Sequence, residues 1–197
     1  MQIALKLLSI ILLPFLVGIS IPDKKAATAD LKIDFNPEHL DGRFTGGFGE
    51  QTCHSCHFDY DLNQEGGSLA VEGINDEYQP GKSYEITVTV ESVHLENGGF
   101  QMASRFEDGT QAGVFEWNGE RLMYTPSISD DVKYLQHSRE GTTKTGEREI
   151  SWKFYWIAPE SDSGNIIFNI AANAGNDDDS AFGDWIYVKE IELSAPR

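Results

Sequence analysis

The chain has 197 residues, 40% of them hydrophobic and 24% charged, a globular composition with room for one good-sized core. Its 32 acidic against 15 basic residues leave a formal charge of −17. Such a field repels nucleic acid, which is excluded as a partner, and favours basic proteins or polyvalent cations.

Met1–Lys6 is a short basic start, and the stretch from Leu7 to Ile21 is a nearly continuous apolar run broken by Pro14. Ala27-Thr28-Ala29 then offers an A-x-A cleavage site, so residues 1–29 are expected to be a signal peptide or an N-terminal anchor. The run is short for spanning a bilayer. Any membrane attachment is expected only through this segment, left uncleaved. Export follows, to the periplasm or the cell surface, and the lack of any N-x-[ST] sequon gives no sign of a glycosylated ectodomain.

Residues 30–66 are rich in Gly, Asp and Asn without a sustained period, and are read as an irregular segment. Thr45-Gly46-Gly47-Phe48-Gly49-Glu50 leads into Cys53-His54-Ser55-Cys56-His57, which holds the only two cysteines. C-x-x-C-H is the pattern of c-type haem attachment: Cys53 and Cys56 would bind the porphyrin covalently, and His57 would be the proximal iron ligand. The glycine run then reads either as a peptide lying flat on a porphyrin edge or as a flexible linker. Two alternatives stay open at the cysteines. In an oxidising compartment they can pair as a disulfide. They can also take a metal, although Cys53, His54, Cys56 and His57 are too crowded to supply a zinc tetrahedron alone.

From Gly67 to the end, 67–197, short alternating segments are separated by turn residues. Gln79-Pro80-Gly81-Lys82 is a turn signal, and Tyr84, Ile86, Val88 and Val90 alternate with polar residues as in a half-buried strand. Strands are predicted at 100–106, 112–117, 121–124, 132–138, 149–157, 165–172 and 184–193. Asn118-Gly119 reads as the strongest hairpin turn, and Trp152, Phe154 and Trp156 share one face that should dominate the core. About eight strands and no helix of useful length predict an all-β, antiparallel, immunoglobulin-like sandwich.

The order of motifs resembles the Reeler-like "choice-of-anchor V" domain of exported bacterial proteins. The matching stretches are Gly46–His57, Tyr78–Tyr84 running into the Ile86–Val90 strand, Gly99-Phe100-Gln101, His137-Ser138, Trp152–Pro159 and Ala171–Tyr187. They span roughly residues 45–194. The resemblance implies a β-sandwich of an exported or surface-tethered protein, with the C-x-x-C-H peptide at its N-terminal edge, and no known reaction. Members commonly carry a C-terminal anchor, whereas this sequence ends at Arg197, so tethering is expected through the N-terminus or not at all.

A sixth iron ligand is sought among His137, His94, His39, Met102 and Met123. His137 is favoured because it sits in the His-Ser element of the resemblance; the plainer alternative is a hydrogen-bonded histidine within the sandwich. Met102 falls in an alternating strand, where methionine is usually core filler. Asp177, Asp178 and Asp179, with Asp184 beyond, could bind calcium, although they match no EF-hand spacing and a solvated loop is the simpler reading. No nucleophile motif such as G-x-S-x-G occurs. The expected function is therefore a monohaem c-type cytochrome-like protein that carries electrons to a redox partner or senses a redox ligand. The alternative is a non-enzymatic surface-binding or adhesion module, with a Cys53–Cys56 disulfide or metal site and a surface ligand. An oxidoreductase with an open haem would need a substrate pocket for which no motif is seen.

Overall fold

The computed structural model describes residues 42–126, 131–161 and 164–195. The signal or anchor segment, its A-x-A site and His39 lie outside them. Among the described residues, nine strands form two antiparallel sheets: β1 (Gly67–Glu72), β2 (Ser83–Ser92), β3 (Asn97–Phe106), β4 (Val114–Glu116), β5 (Leu122–Tyr124), β6 (Leu135–His137), β7 (Glu149–Ile157), β8 (Ile166–Gly175) and β9 (Trp185–Leu193). One sheet runs β1-β2-β7-β4 and the other β5-β6-β3-β8-β9. No helix among the described residues is long and apolar enough to cross a membrane. The fold is the all-β sandwich that the alternation predicts.

The core forms where period-2 patterns of facing strands meet. In β2, Tyr84, Ile86, Val88 and Val90 are buried, and the register sets Tyr84 opposite Trp156, Ile86 opposite Phe154 and Val88 opposite Trp152 of β7. These side chains meet the inner face of the other sheet. The rings of Phe100 and Trp152 lie 4.6 Å apart and those of Trp156 and Phe168 4.9 Å, edge to face in the second pair. Burying each such ring stabilises the fold by about 2–3 kcal/mol. The two indole N–H groups donate to backbone carbonyls, Trp152 to Gly141 at 2.9 Å and Trp156 to Ala112 at 3.0 Å, so neither is orphaned. Met102 is part of this core.

The Asn118-Gly119 hairpin does not form. β4 pairs with β7 in one sheet and β5 with β6 in the other, so the Asn-Gly turn carries the chain between sheets. Side-chain bonding replaces the ladder: the Tyr124 hydroxyl accepts from the Phe115 amide at 3.1 Å and donates to its carbonyl at 2.7 Å.

In β3 the eight residues from Gly98 to Arg105 are all buried, which a strand facing solvent on one side cannot show. The reason is a third layer. Residues 42–66 lie across the outward face of the five-stranded sheet, and polar side chains there hold them. Gln101 accepts from the Phe44 amide at 2.6 Å and donates to the Gly42 carbonyl at 2.9 Å. Arg105, 3% exposed, pairs with Glu50 at 2.6 Å, stacks on Phe48 at 4.3 Å and donates to Asn169 at 3.3 Å. The Tyr134 hydroxyl donates to the same Glu50 carboxylate. At the far end, Asn63 donates its amide to Ile186 and accepts from Val188, both at 2.9 Å, satisfying edge strand β9.

The glycine run has a use beyond the two expected. A Cβ on Gly47 would sit 2.0 Å from Asn169 Oδ1, so glycine lets the loop lie directly on β8.

Candidate functional site

The C-x-x-C-H peptide is set by local hydrogen bonding. Thr52 caps the 3-10 turn Cys53–Ser55 by accepting from the His54 amide at 3.2 Å, and the amides of Cys56 and His57 both donate to the Cys53 carbonyl. This turn places Cys53, Ser55, Cys56 and His57 on the wall of one cavity of about 510 Å³, within the usual range of small-molecule and cofactor sites. His54 is turned elsewhere, with Nε2 2.8 Å from the Tyr60 carbonyl.

The opposite wall comes from the sandwich: the start of β3, His137 and Gln136 of β6, Asn173 of β8 and the loop from Asp177 to Asp184. Of the described alternatives for a sixth ligand, His137 alone lines the cavity. His94 packs its ring against Trp185 at 4.7 Å, Met102 is in the core, and Met123 pairs opposite Gln136 within the sheet. The His137 ring lies over Gly99, where a Cβ would be 2.4 Å from Cε1, and its Nδ1 is 3.0 Å from the amide and the carbonyl of Phe100. Glycine at 99 is what leaves room for the imidazole.

His57 Nδ1 is sealed from solvent and lies 2.7 Å from Asp184 Oδ2, close enough for an ion pair, though off the alignment of a straight hydrogen bond. Asp184 is itself 4% exposed and accepts from the Asn176 amide at 3.1 Å and from Asn173 Nδ2 at 3.2 Å. Burial pushes the Cys53 thiol up to about 12, and the nearby Cys56 adds to the rise. Cys53 is therefore a neutral thiol at ordinary pH.

The four acidic residues read as a calcium set line the same cavity without being grouped to hold an ion. Asp177 accepts from Asn97 Nδ2 at 2.7 Å, and hydrogen bonds from Ser180 hold the exposed Asp178 carboxyl below the usual carboxylate range. Asp184 faces His57 instead. Among the described residues, no group of three or more His, Cys, Asp or Glu is placed to hold a metal ion. The link from Asp184 to His57 was missed in the sequence because the two are remote in the chain. Polar Gln101, Arg105 and Asn169, at alternate positions of strands that are otherwise apolar or small, were the available signal for a covered outer face.

No family model and no curated protein matches the chain. Among solved structures it is similar to the Reelin-N domain of F-spondin, at 22% identity and a TM-score of 0.49, covering 74% of this chain and 96% of that one. It is also similar to a human F-spondin reeler domain, at 25% identity and a TM-score of 0.42, covering 68% of this chain and 96% of that one. A cohesin module from a Clostridium perfringens family 33 glycoside hydrolase matches at 14% identity and a TM-score of 0.42, with 66% and 94% covered. The likeness is one of outline, and the architecture itself rests on the strand pairing: a two-sheet antiparallel sandwich with the C-x-x-C-H peptide docked on its outer face.

Proposed function

We propose that this chain is an exported β-sandwich protein whose outer-face cavity takes one covalently attached haem c, for electron transfer to a partner protein or for sensing a redox ligand. The observation that carries this reading is that His137, remote in sequence, lines the same cavity as Cys53, Cys56 and His57 of the motif. The residues present fit the group. Two unpaired thiols stand beside the histidine of the motif, a second histidine faces the same space, and the buried His57 Nδ1 has a carboxylate within reach. Cys53 and Cys56 would hold the porphyrin, His57 would be the proximal ligand and His137 the distal one. The bound iron would supply one-electron chemistry, tuned by axial ligation and burial. The chain's own part is to orient two imidazoles and to cover the site with residues 42–66. The resemblance to Reeler-like choice-of-anchor domains, with tethering through the N-terminal segment, belongs to the same reading.

A second reading is favoured by the surface beside the cavity. Phe58 and Phe182, 57% and 55% exposed, stack edge to face at 5.8 Å next in the chain to His57 and Ala181, with Asp177–Asp179 near by. Exposed aromatic pairs suit a non-enzymatic binding module, in which Cys53 and Cys56 would form a disulfide.

Expression with a c-type maturation system, followed by an absorption spectrum and a haem stain on a denaturing gel, separates the two. A sharp reduced α band and stain that survives denaturation are expected. A colourless protein lacking free thiols overturns the haem reading and leaves the binding module. In His57→Ala, loss of the native spectrum is expected, and an unchanged spectrum would refute the ligand assignment.

A further inference from the structure

We propose that Asp184 is the positioning residue of His57. Its carboxylate fixes the imidazole as the Nδ1–H tautomer, leaves Nε2 as the nitrogen with a free lone pair, and lowers the reduction potential of iron bound there. The last clause rests on the haem reading; the first two do not.

The argument begins with burial. A carboxylate as enclosed as that of Asp184 is costly unless its oxygens are hydrogen-bonded. Two donors come from the sandwich, the Asn176 amide and Asn173 Nδ2. The third polar atom against it is His57 Nδ1, at 2.7 Å and cut off from water. At 2.7 Å from an acceptor-only group, though off the line of a straight hydrogen bond, Nδ1 is stabilised by carrying its hydrogen, and in a neutral imidazole the other nitrogen is then bare. A bare Nε2 is what a metal ligand requires. A carboxylate behind a ligating histidine also raises the basicity of the ring. A more basic axial ligand favours the oxidised iron. Asp184 is fixed between β8 and β9, so the sandwich, through this one contact, sets both the aim and the donor strength of a side chain carried by the docked peptide.

The test has two arms. In the full chain with Cys53→Ala and Cys56→Ala, which cannot attach haem, 15N spectra of the imidazoles at pH 8 should show His57 protonated at Nδ1 and bare at Nε2. Asp184→Asn on that background should lose the preference. A doubly protonated His57, or an Nε2–H tautomer, overturns the proposal without any need for the variant to fold. In the haem-loaded protein, Asp184→Asn should retain the gel stain and shift the ratio of reduced to oxidised protein at least tenfold toward reduced, about 59 mV upward for one electron. Retained haem with an unmoved potential overturns the tuning role. If the parent protein takes up no haem, the haem reading falls, and the imidazole spectra still decide what Asp184 does.

Discussion

The five-stranded sheet is buried on both faces at β3, and the two faces are built on opposite terms. Its inner face is apolar: Phe100, Met102, Phe168 and Ile170 meet Trp152, Phe154 and Trp156 in contacts that any hydrophobe of suitable size partly satisfies. Its outer face is polar: Gln101, Arg105, Gln136 and Asn169 are covered by residues 42–66 through directed hydrogen bonds and one enclosed ion pair. The first face makes the domain stable. The second makes one segment sit in one place, the place where Cys53, Cys56 and His57 meet His137.

The comparison breaks if the two faces respond alike to mutation. Trp152→Ala should have the largest effect, destabilising the whole domain by about 3–5 kcal/mol, read as a lowered denaturation midpoint. Glu50→Ala removes one partner of a pair whose side chains are 4% and 8% exposed, stranding the Arg105 charge at a cost of about 3 kcal/mol. That cost should fall on the docked segment. Hydrogen exchange should speed up at residues 44–63 while the β2 and β7 amides stay protected; uniform acceleration would mean the two faces are one cooperative unit. Pairing Glu50→Leu with Arg105→Met should restore much of the loss.

Alkaline pH sharpens the contrast. Burial, with the Glu50 carboxylate, pushes the Tyr134 hydroxyl up to about 12, above the roughly 10 of a free phenol, so the folded state holds this proton more tightly. The resulting stability, on the order of 2 kcal/mol, is complete below pH of about 10 and is lost as pH rises through about 12. Tyr134→Phe should flatten this limb of the stability curve, and an unchanged limb would place the titration elsewhere. The smallest effect is expected at Gly99→Ala, whose new methyl meets the His137 ring. It should cost about 1 kcal/mol and alter the spectrum of haem-loaded protein; an identical spectrum would remove His137 from the iron.

How far each face was legible follows from the same contrast. Alternation at Tyr84–Val90 and the Trp152-Phe154-Trp156 stripe identify inner-face strands because burial there depends on hydrophobicity alone. Polar residues at alternate positions do not tell whether water or another layer covers them, so the burial of Gln101 and Arg105 had only an ambiguous signal. Asn118-Gly119 was misread because its flanking strands go to different sheets, a choice made by long-range pairing with β6 and β7. The motif at Cys53–His57 was legible by spacing. Its partners His137 and Asp184 were not linked to it by any local pattern.

The docking of residues 42–66 also imposes an order of events. The C-x-x-C-H peptide leaves the ribosome well before the strands that cover it, and Asp184 is made when the chain is nearly complete. Until then Cys53 is an ordinary, accessible thiol; afterwards burial holds it near 12, with almost no thiolate to react. Any covalent bond to that sulfur is thus favoured in the interval between emergence and docking. On the haem reading, occupancy in a purified sample should then reflect the race between attachment and folding.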